Sequence, residues 1–398
     1  MTHHALSLAG ILAALALPAC AQGFTYGERN TDFTPVSDDQ FRAPLAETPV
    51  RLETEVLAGG LVHPWGIATL PGDAGWLVTE RPGRLRHIAP DGTLSDPIAG
   101  VPEVYARDQG GLLDVALAPD FVKSRTLFLT YSKPLEDGLS ATAAMRAILS
   151  EDLAGLSNGT DIFVQSPGSP TPKHYGSRVV PLPDGTLAIT TGEHSSREER
   201  VYAQDLDKTY GKVVRLNPDG TVPAGNPFAD RDDAGAAIWS YGHRNIQGAA
   251  VGPEGELWTI EHGPAGGDEL NRPEAGLNYG WPVISYGENY NGEPIGSGDA
   301  RQEGMEQPVY FWDPVIAPGG MQFHEGEAFG EWNGDLLIGS LYPGGVVRLS
   351  LEDGRVAEEE RILRDLGRVR DVEVLDDGTF IVLTDFENGA AVRVTPKE

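Results

Sequence analysis

Ser177-Arg178-Val179-Val180-Pro181-Leu182 runs into Pro183-Asp184-Gly185 and leaves through Thr186-Leu187-Ala188-Ile189-Thr190. Two short β-rich runs flank an Asp-Gly pair. Such a pair is a strong hairpin signal, because a tight turn needs a residue at positive φ. The unit recurs along the chain. Arg84–Ile88 meets Pro90-Asp91-Gly92, and Lys212–Leu216 meets Pro218-Asp219-Gly220. Gly248–Val251 passes through Pro253-Glu254-Gly255 into Glu256–Ile260, Val346–Leu349 ends at Asp353-Gly354, and Val372–Leu375 passes Asp377-Gly378 into Phe380–Thr384. The turns at Asp184, Asp219 and Glu254 lie 35 residues apart, a spacing that suits hairpin pairs within propeller blades.

The composition agrees. The 398 residues include 50 Gly and 30 Pro, punctuation for many short strands rather than long helices, and no window carries a long amphipathic helix. Hydrophobic residues make up 40%, enough for a large packed core. The expected architecture is all-β, one β-propeller over residues 49–398, with a pair of β-sandwiches as the structural alternative. Residues 132–172 and 285–312 read as insertions. Residues 22–48, polar and rich in Thr, Asp and Pro, read as a tether or irregular arm.

A net charge of −29 excludes nucleic acid and anionic membrane surfaces as expected partners, since both need clustered Lys and Arg. Residues 1–21 read as an export signal. Leu6–Leu17 is apolar but too short to span a bilayer. Ala19-Cys20-Ala21 suits ordinary signal cleavage, whereas Leu17-Pro18-Ala19-Cys20 suits a lipobox. Either route takes the mature chain out of the cytoplasm, to a periplasm, either soluble or lipid-anchored and with no transmembrane segment. Cys20 is the sole cysteine, which excludes an intrachain disulfide.

The chemistry concentrates in Ser240-Tyr241-Gly242-His243-Arg244-Asn245-Ile246-Gln247-Gly248, then Glu261–Asn271, then Asn278-Tyr279-Gly280-Trp281-Pro282. These stretches gather a guanidinium, amides, carboxylates and backbone-exposing Gly-Pro turns. That mixture suits an anionic cofactor held with a hard metal ion. His174, whose imidazole titrates near neutrality, is a candidate general base.

Several further motifs occur in order: His63-Pro64-Trp65-Gly66, Gln109-Gly110-Gly111-Leu112-Leu113, His174-Tyr175-Gly176-Ser177-Arg178, Gly211–Asn217, Ala317-Pro318-Gly319-Gly320-Met321 and Arg368-Val369-Arg370-Asp371-Val372. Together with the stretches above, from about His63 to Thr395, they resemble the soluble glucose/sorbosone dehydrogenases, and most the bacterial aldose sugar dehydrogenase branch. The resemblance implies a six-bladed propeller, pyrroloquinoline quinone (PQQ) and Ca²⁺ as cofactors, an aldose substrate oxidised at C1, and an external electron acceptor. It leaves monomer and homodimer open.

It also implies roles. His174 would be the base and Arg244 would stabilise charge arriving at the quinone. Gln109, Asn245, Tyr290, Tyr342, Arg368 and Arg370 would contact the cofactor. The carbonyls of Gly263 and Pro264 would ligate the cofactor's Ca²⁺, and Glu269 and the carbonyl of Tyr279 a structural Ca²⁺. Asp268 is a candidate for orienting these groups. Two departures stand out. Tyr342-Pro343-Gly344-Gly345 occupies the place where the family offers a lysine, and a phenol adds no charge at neutral pH. Lys173 precedes His174 where glucose dehydrogenase relatives have an aspartate. Two other functions suit the same scaffold: a metal-dependent propeller hydrolase such as a lactonase, and a non-catalytic propeller that binds carbohydrate or protein.

Overall fold

The computed structural model describes residues 24–397, and the expected export signal with Cys20 lies outside them. Six antiparallel sheets form a six-bladed propeller. Five blades have four strands and one has three. Innermost strands are Pro64–Thr69, Leu112–Leu117, Gly176–Pro181, Ile246–Val251, Pro318–Phe323 and Val369–Val374, each packed on the next, with the last closing on the first. The last blade is completed by the first strand: Leu52–Leu61 pairs antiparallel with Gly389–Pro396. The two ends of the propeller domain are therefore hydrogen-bonded to each other, which seals the ring.

The Asp-Gly turns form. Those at 183–185, 253–255 and 377–378 join first and second strands, and 353–354 joins third and fourth. Those at 90–92 and 218–220 end third strands. The 35-residue interval therefore steps between two turn positions of a blade. Glycine supplies positive φ at Gly92, Gly185, Gly220 and Gly378. In each of these four turns the aspartate carboxylate accepts the backbone N–H of the threonine two residues on, at 2.9 to 3.0 Å. Aspartate locks the turn while glycine permits it.

The core lies between the blades. Because side chains alternate along a strand, consecutive residues enter different layers. Leu336 and Ile338 pack towards Trp258 and Ile260, whereas Leu337 packs towards Val369 and Phe380. Ile381 and Leu383 meet Ile67 and Val78 on the other side of the closing blade. Both faces of a strand are buried, so strands read as continuous apolar runs.

Two segments depart from expectation. Most of 132–172 is no insertion: Thr126–Pro134, Ser140–Leu149 and Leu156–Val164 are the three outer strands of one blade. The polar arm is irregular but packed, with Phe41 stacked on Phe311 (4.6 Å) and Gln40 buried. Residues 285–312 do form a long connection, strand-like only at Tyr310–Trp312.

Candidate active site

Each innermost strand begins at the same end of the propeller, and each second strand, being antiparallel, finishes there. Side chains at these two sets of strand ends share one face. A cavity of about 360 Å³ opens there on the axis. From strand starts it takes His63, Trp65, Gln109, Gly176, Asn245, Gln247, Arg368 and Arg370; from second-strand ends it takes Arg81, His262, Leu341 and Asp385. Three guanidiniums face one carboxylate in a chain that is strongly acidic overall.

Arg368 and Arg370 converge on Asp385 Oδ2, at 3.0 and 2.9 Å, and His63 Nδ1 meets Asp385 Oδ1 at 2.9 Å. Burial alone would raise the Asp385 carboxyl; Arg370, His63 and Arg368 instead hold it well below the usual carboxylate range. Arg370 also donates to Gln247 Oε1 (2.9 Å), and Gln247 Nε2 donates to Asn245 Oδ1 and the Gly176 carbonyl. The two arginines thus meet by way of a carboxylate, Arg370 buried and Arg368 exposed at the rim.

His174 adjoins the lining residues Tyr175 and Gly176. Its backbone has φ of 47°, a left-handed conformation uncommon outside glycine, and its N–H donates to Gln109 Oε1 (2.8 Å). Its Nδ1 lies 3.0 Å from Glu193 Oε1. Glu193 also accepts the N–H of Ser195 and lies 3.9 Å from Arg244 Nε. Burial lowers the His174 imidazole below its ordinary value, partly opposed by Glu193, with Arg244 lowering it further. For Glu193, burial acts upwards, but His174, Arg244 and the Ser195 N–H prevail and lower its carboxyl. A neutral imidazole beside an ionised carboxylate is the state a general base requires.

Arg244 lies between these groups and the Gly263 turn. Its Nη1 donates to the carbonyls of His262 (2.9 Å) and Gly263 (2.7 Å), and its guanidinium lies 5.1 Å from the Trp281 ring centroid. The Gly263 N–H donates to Asp268 Oδ1 (2.7 Å), and Asp268 Oδ2 accepts from Ile316 and Ala317. Burial pushes the Asp268 carboxyl up to about 7 despite these three donors. His262 is neutral for the same reason, pushed down to about 3. Asp268 joins the turn to the next blade.

The donor set fits an anionic, planar cofactor. Cations dominate the lining, and Arg370 Nε is buried there without a hydrogen-bond partner; Arg244, whose Nε is likewise unpartnered, and His174 lie beside the lining rather than in it. Calcium fits one of its two expected places. Asn271 Nδ2 reaches Glu261 (3.1 Å) and Glu269 (3.5 Å), while Asn271 Oδ1 is buried without a partner. Burial and the neighbouring Glu261 hold the Glu269 carboxyl well above its usual range, which a cation would reverse. Tyr279 stacks on His243, itself bonded to Glu261. At Gly263 and Pro264 the fit is poor, because the Gly263 carbonyl already holds a guanidinium. Among the described residues no three His, Cys, Asp or Glu side chains form a metal cage.

Tyr290 and Tyr342 do not line the cavity. They are 80% and 66% exposed, on surface turns at 289–292 and 342–345. Pattern reading passed over Glu193, Asp385, Arg81, Gln247 and roles for His63, Trp65 and His262. The signal that would have found several of them is positional: a polar residue one or two places beyond a blade's second strand. A larger cavity, about 780 Å³, opens at the opposite end of the axis. Asp114, Arg178 and Asp371 line it, and the one guanidinium is paired with both carboxylates, so acid outnumbers base there where base outnumbers acid above.

A family model described as glucose/sorbosone dehydrogenase matches residues 61–393. The chain is 45% identical over 358 residues to an aldose sugar dehydrogenase of Escherichia coli (strain K12), covering 89% of this chain and 95% of that one. It is 25% identical over 429 residues to quinoprotein glucose dehydrogenase B of Acinetobacter calcoaceticus, covering 88% of each. The apo-form crystal structure of the soluble E. coli aldose sugar dehydrogenase superposes with a TM-score of 0.84 at 44% identity, over 87% of this chain and all of that one. The PQQ-bound aldose sugar dehydrogenase from Streptomyces coelicolor gives 0.70 at 27% identity, over 87% and 99%. On this evidence the chain belongs to the glucose/sorbosone dehydrogenase family of oxidoreductases.

Proposed function

We propose that the protein oxidises aldose sugars at C1 to lactones with PQQ as its redox cofactor. The observation that carries this reading is the axial cavity itself: guanidiniums outnumber carboxylates there three to one, beside a buried imidazole held by a carboxylate. Bound PQQ supplies the hydride acceptor that breaking the C1–H bond requires. Arg368 and Arg370, fixed by Asp385, hold its carboxylates, and the Gln109 and Asn245 amides orient it. Arg244 contributes fixed positive charge where negative charge grows.

His174 takes the C1 hydroxyl proton at Nε2. Glu193 accepts from Nδ1–H, which sets the tautomer, and steadies the imidazolium once the proton arrives. Glu269 and the Tyr279 carbonyl, with Asn271 Oδ1, are the proposed calcium ligands, and the ion there is structural. No step is assigned to an ion at Gly263 and Pro264. Tyr342 is too exposed to replace a buried cation, which leaves the anion to the arginines. The apolar segment Leu6–Leu17 supports export, and no helix among the described residues is long and apolar enough to cross a membrane.

Family membership favours this reading over hydrolysis or non-catalytic binding. The test is titration of the apoprotein with PQQ, followed by absorbance, then aldose turnover with an artificial dye. His174→Asn is expected to bind PQQ as the parent does and to lose at least ~100-fold in kcat. Absence of PQQ-dependent turnover in the parent protein overturns the proposal.

A further inference from the structure

We propose that the N-terminal arm is a clamp that sets the geometry of the Gly263–Gly267 loop, and with it Arg244, from outside the cavity. The importance of that loop rests on the cofactor reading above; the clamp itself rests on contacts. Asp313 follows the outermost strand of the fourth blade, Tyr310–Trp312. Its carboxylate is held by the arm: Oδ1 accepts from Asn30 N (2.8 Å) and Asn30 Nδ2 (2.7 Å), and Oδ2 accepts from Thr31 N (2.9 Å) and Thr31 Oγ1 (3.0 Å). Thr31 Oγ1 also reaches the Tyr286 carbonyl (3.1 Å), and Arg42 donates to the Asp313 carbonyl (3.0 Å).

The held carboxylate lies against Gly266. Gly266 has φ of 80°, and a Cβ there would lie 2.9 Å from Asp313 Cγ. The contact continues inward: a Cβ on Gly263 would lie 2.2 Å from the Gly267 carbonyl carbon, so these backbones touch. The Gly267 N–H donates to the Trp312 carbonyl (2.8 Å), and Ala265 exchanges two backbone hydrogen bonds with Glu288. The last link is Gly263 O to Arg244 Nη1. From Asn30 to Arg244 every step is a hydrogen bond or a contact with no spare volume, and such packing transmits displacement.

The arm is itself anchored independently of this grip. Phe41 stacks on Phe311, Gln40 Nε2 donates to the Pro308 carbonyl (2.8 Å), and the Ala43 N–H donates to Tyr310 Oη (2.9 Å). Removing the Asn30 and Thr31 side-chain donors therefore loosens the clamp without detaching the arm.

The test is backbone hydrogen exchange on the full apoprotein, comparing the parent with the double variant Asn30→Ala, Thr31→Val. The expected result is an increase of at least about tenfold in exchange at Gly263, Ala265 and Gly267, the scale of losing one of the donors to a carboxylate, with the blade strands unchanged. Thr31→Ser, which keeps the hydroxyl, is expected to behave as the parent. Unchanged exchange in the loop, or an equal rise across the whole fourth blade, overturns the clamp. The readout needs no cofactor. If the loop loosens but parent and variant bind PQQ identically, the clamp stands and the cofactor role assigned to the loop falls.

Discussion

Glu193 decides how His174 behaves. Burial lowers the imidazole, Glu193 raises it, and Arg244 lowers it again. Replacing Glu193 with Gln removes the only one of these three influences that favours the protonated ring. The folded-state value then falls further, so His174 stays neutral to lower pH. The acid limb of the kcat profile is expected to move to lower pH, while the plateau drops by roughly 10- to 100-fold as the ring loses its orientation. A kcat–pH series from acid to mildly alkaline conditions checks both. A lost plateau with an unmoved limb would mean that Glu193 serves some group other than His174. His174 itself was legible as a candidate base, because an imidazole before Gly176-Ser177-Arg178 fitted a known pattern. Glu193 was not, because its role comes from the neighbouring strand end and leaves no local signature in Gly192-Glu193-His194.

At the scale of elements, one buried cation organises the connection before the strand Lys212–Leu216. Lys212 is fully buried, and its Nζ donates to the carbonyls of Tyr202 (2.9 Å), Ala203 (2.9 Å) and Tyr210 (2.6 Å). An ammonium thus satisfies the carbonyls of a short 3₁₀ turn and of the segment returning from it. Burial holds this amine well below its usual range. Tyr210 in turn packs edge-on to His194, the residue after Glu193, with ring centroids 5.0 Å apart. Lys212→Met leaves the Tyr210 carbonyl without a donor and takes one of two donors from the carbonyls of Tyr202 and Ala203, which keep the N–H groups of Asp205 and Gly242; it is expected to cost about 2 kcal/mol, read as a lower urea midpoint with an unchanged slope. In the sequence Lys212 opens a recurring strand, and nothing in that pattern marks it as a buried cation. The carbonyls that it meets come from residues whose irregular path no periodicity describes.

On the scale of the whole molecule, the blades are joined at the axis by charge. Arg178 of the third blade pairs with Asp114 of the second (2.9 Å) and Asp371 of the sixth (3.0 Å), and its guanidinium lies 4.4 Å from the Trp65 ring centroid of the first. Burial raises both carboxyls, Asp114 to about 6, although Arg178 opposes the shift. Arg178→Met leaves two like charges in a closed space and is expected to cost about 3–5 kcal/mol near neutrality. The sign with pH follows. A carboxyl whose folded value lies above its unfolded value near 4 adds stability below that value and loses it as pH rises through the folded one. The variant's deficit is therefore expected to be smaller at pH 5 than at pH 8, measured by urea unfolding at both. A deficit equal at the two values would mean that packing against Trp65, rather than charge, is what Arg178 provides.

Short apolar runs between Asp-Gly turns were enough to specify an all-β chain of repeated hairpins, because backbone conformation at a turn is a local matter of sterics and of one carboxylate reaching two residues ahead. The ordered motifs were enough to identify the family and to nominate His174, Arg244, Asn245, Arg368 and Arg370. Ring closure, the carboxylates Glu193 and Asp385 that hold His174, Arg368 and Arg370, the exposure of Tyr290 and Tyr342, and the packed arm emerged only with the tertiary structure. Ring closure and the pairings at the site depend on which strand ends meet around the axis, where six blades bring residues as distant as His63 and Asp385 to one face, whereas the arm and the two tyrosines depend on how irregular connections pack outside it.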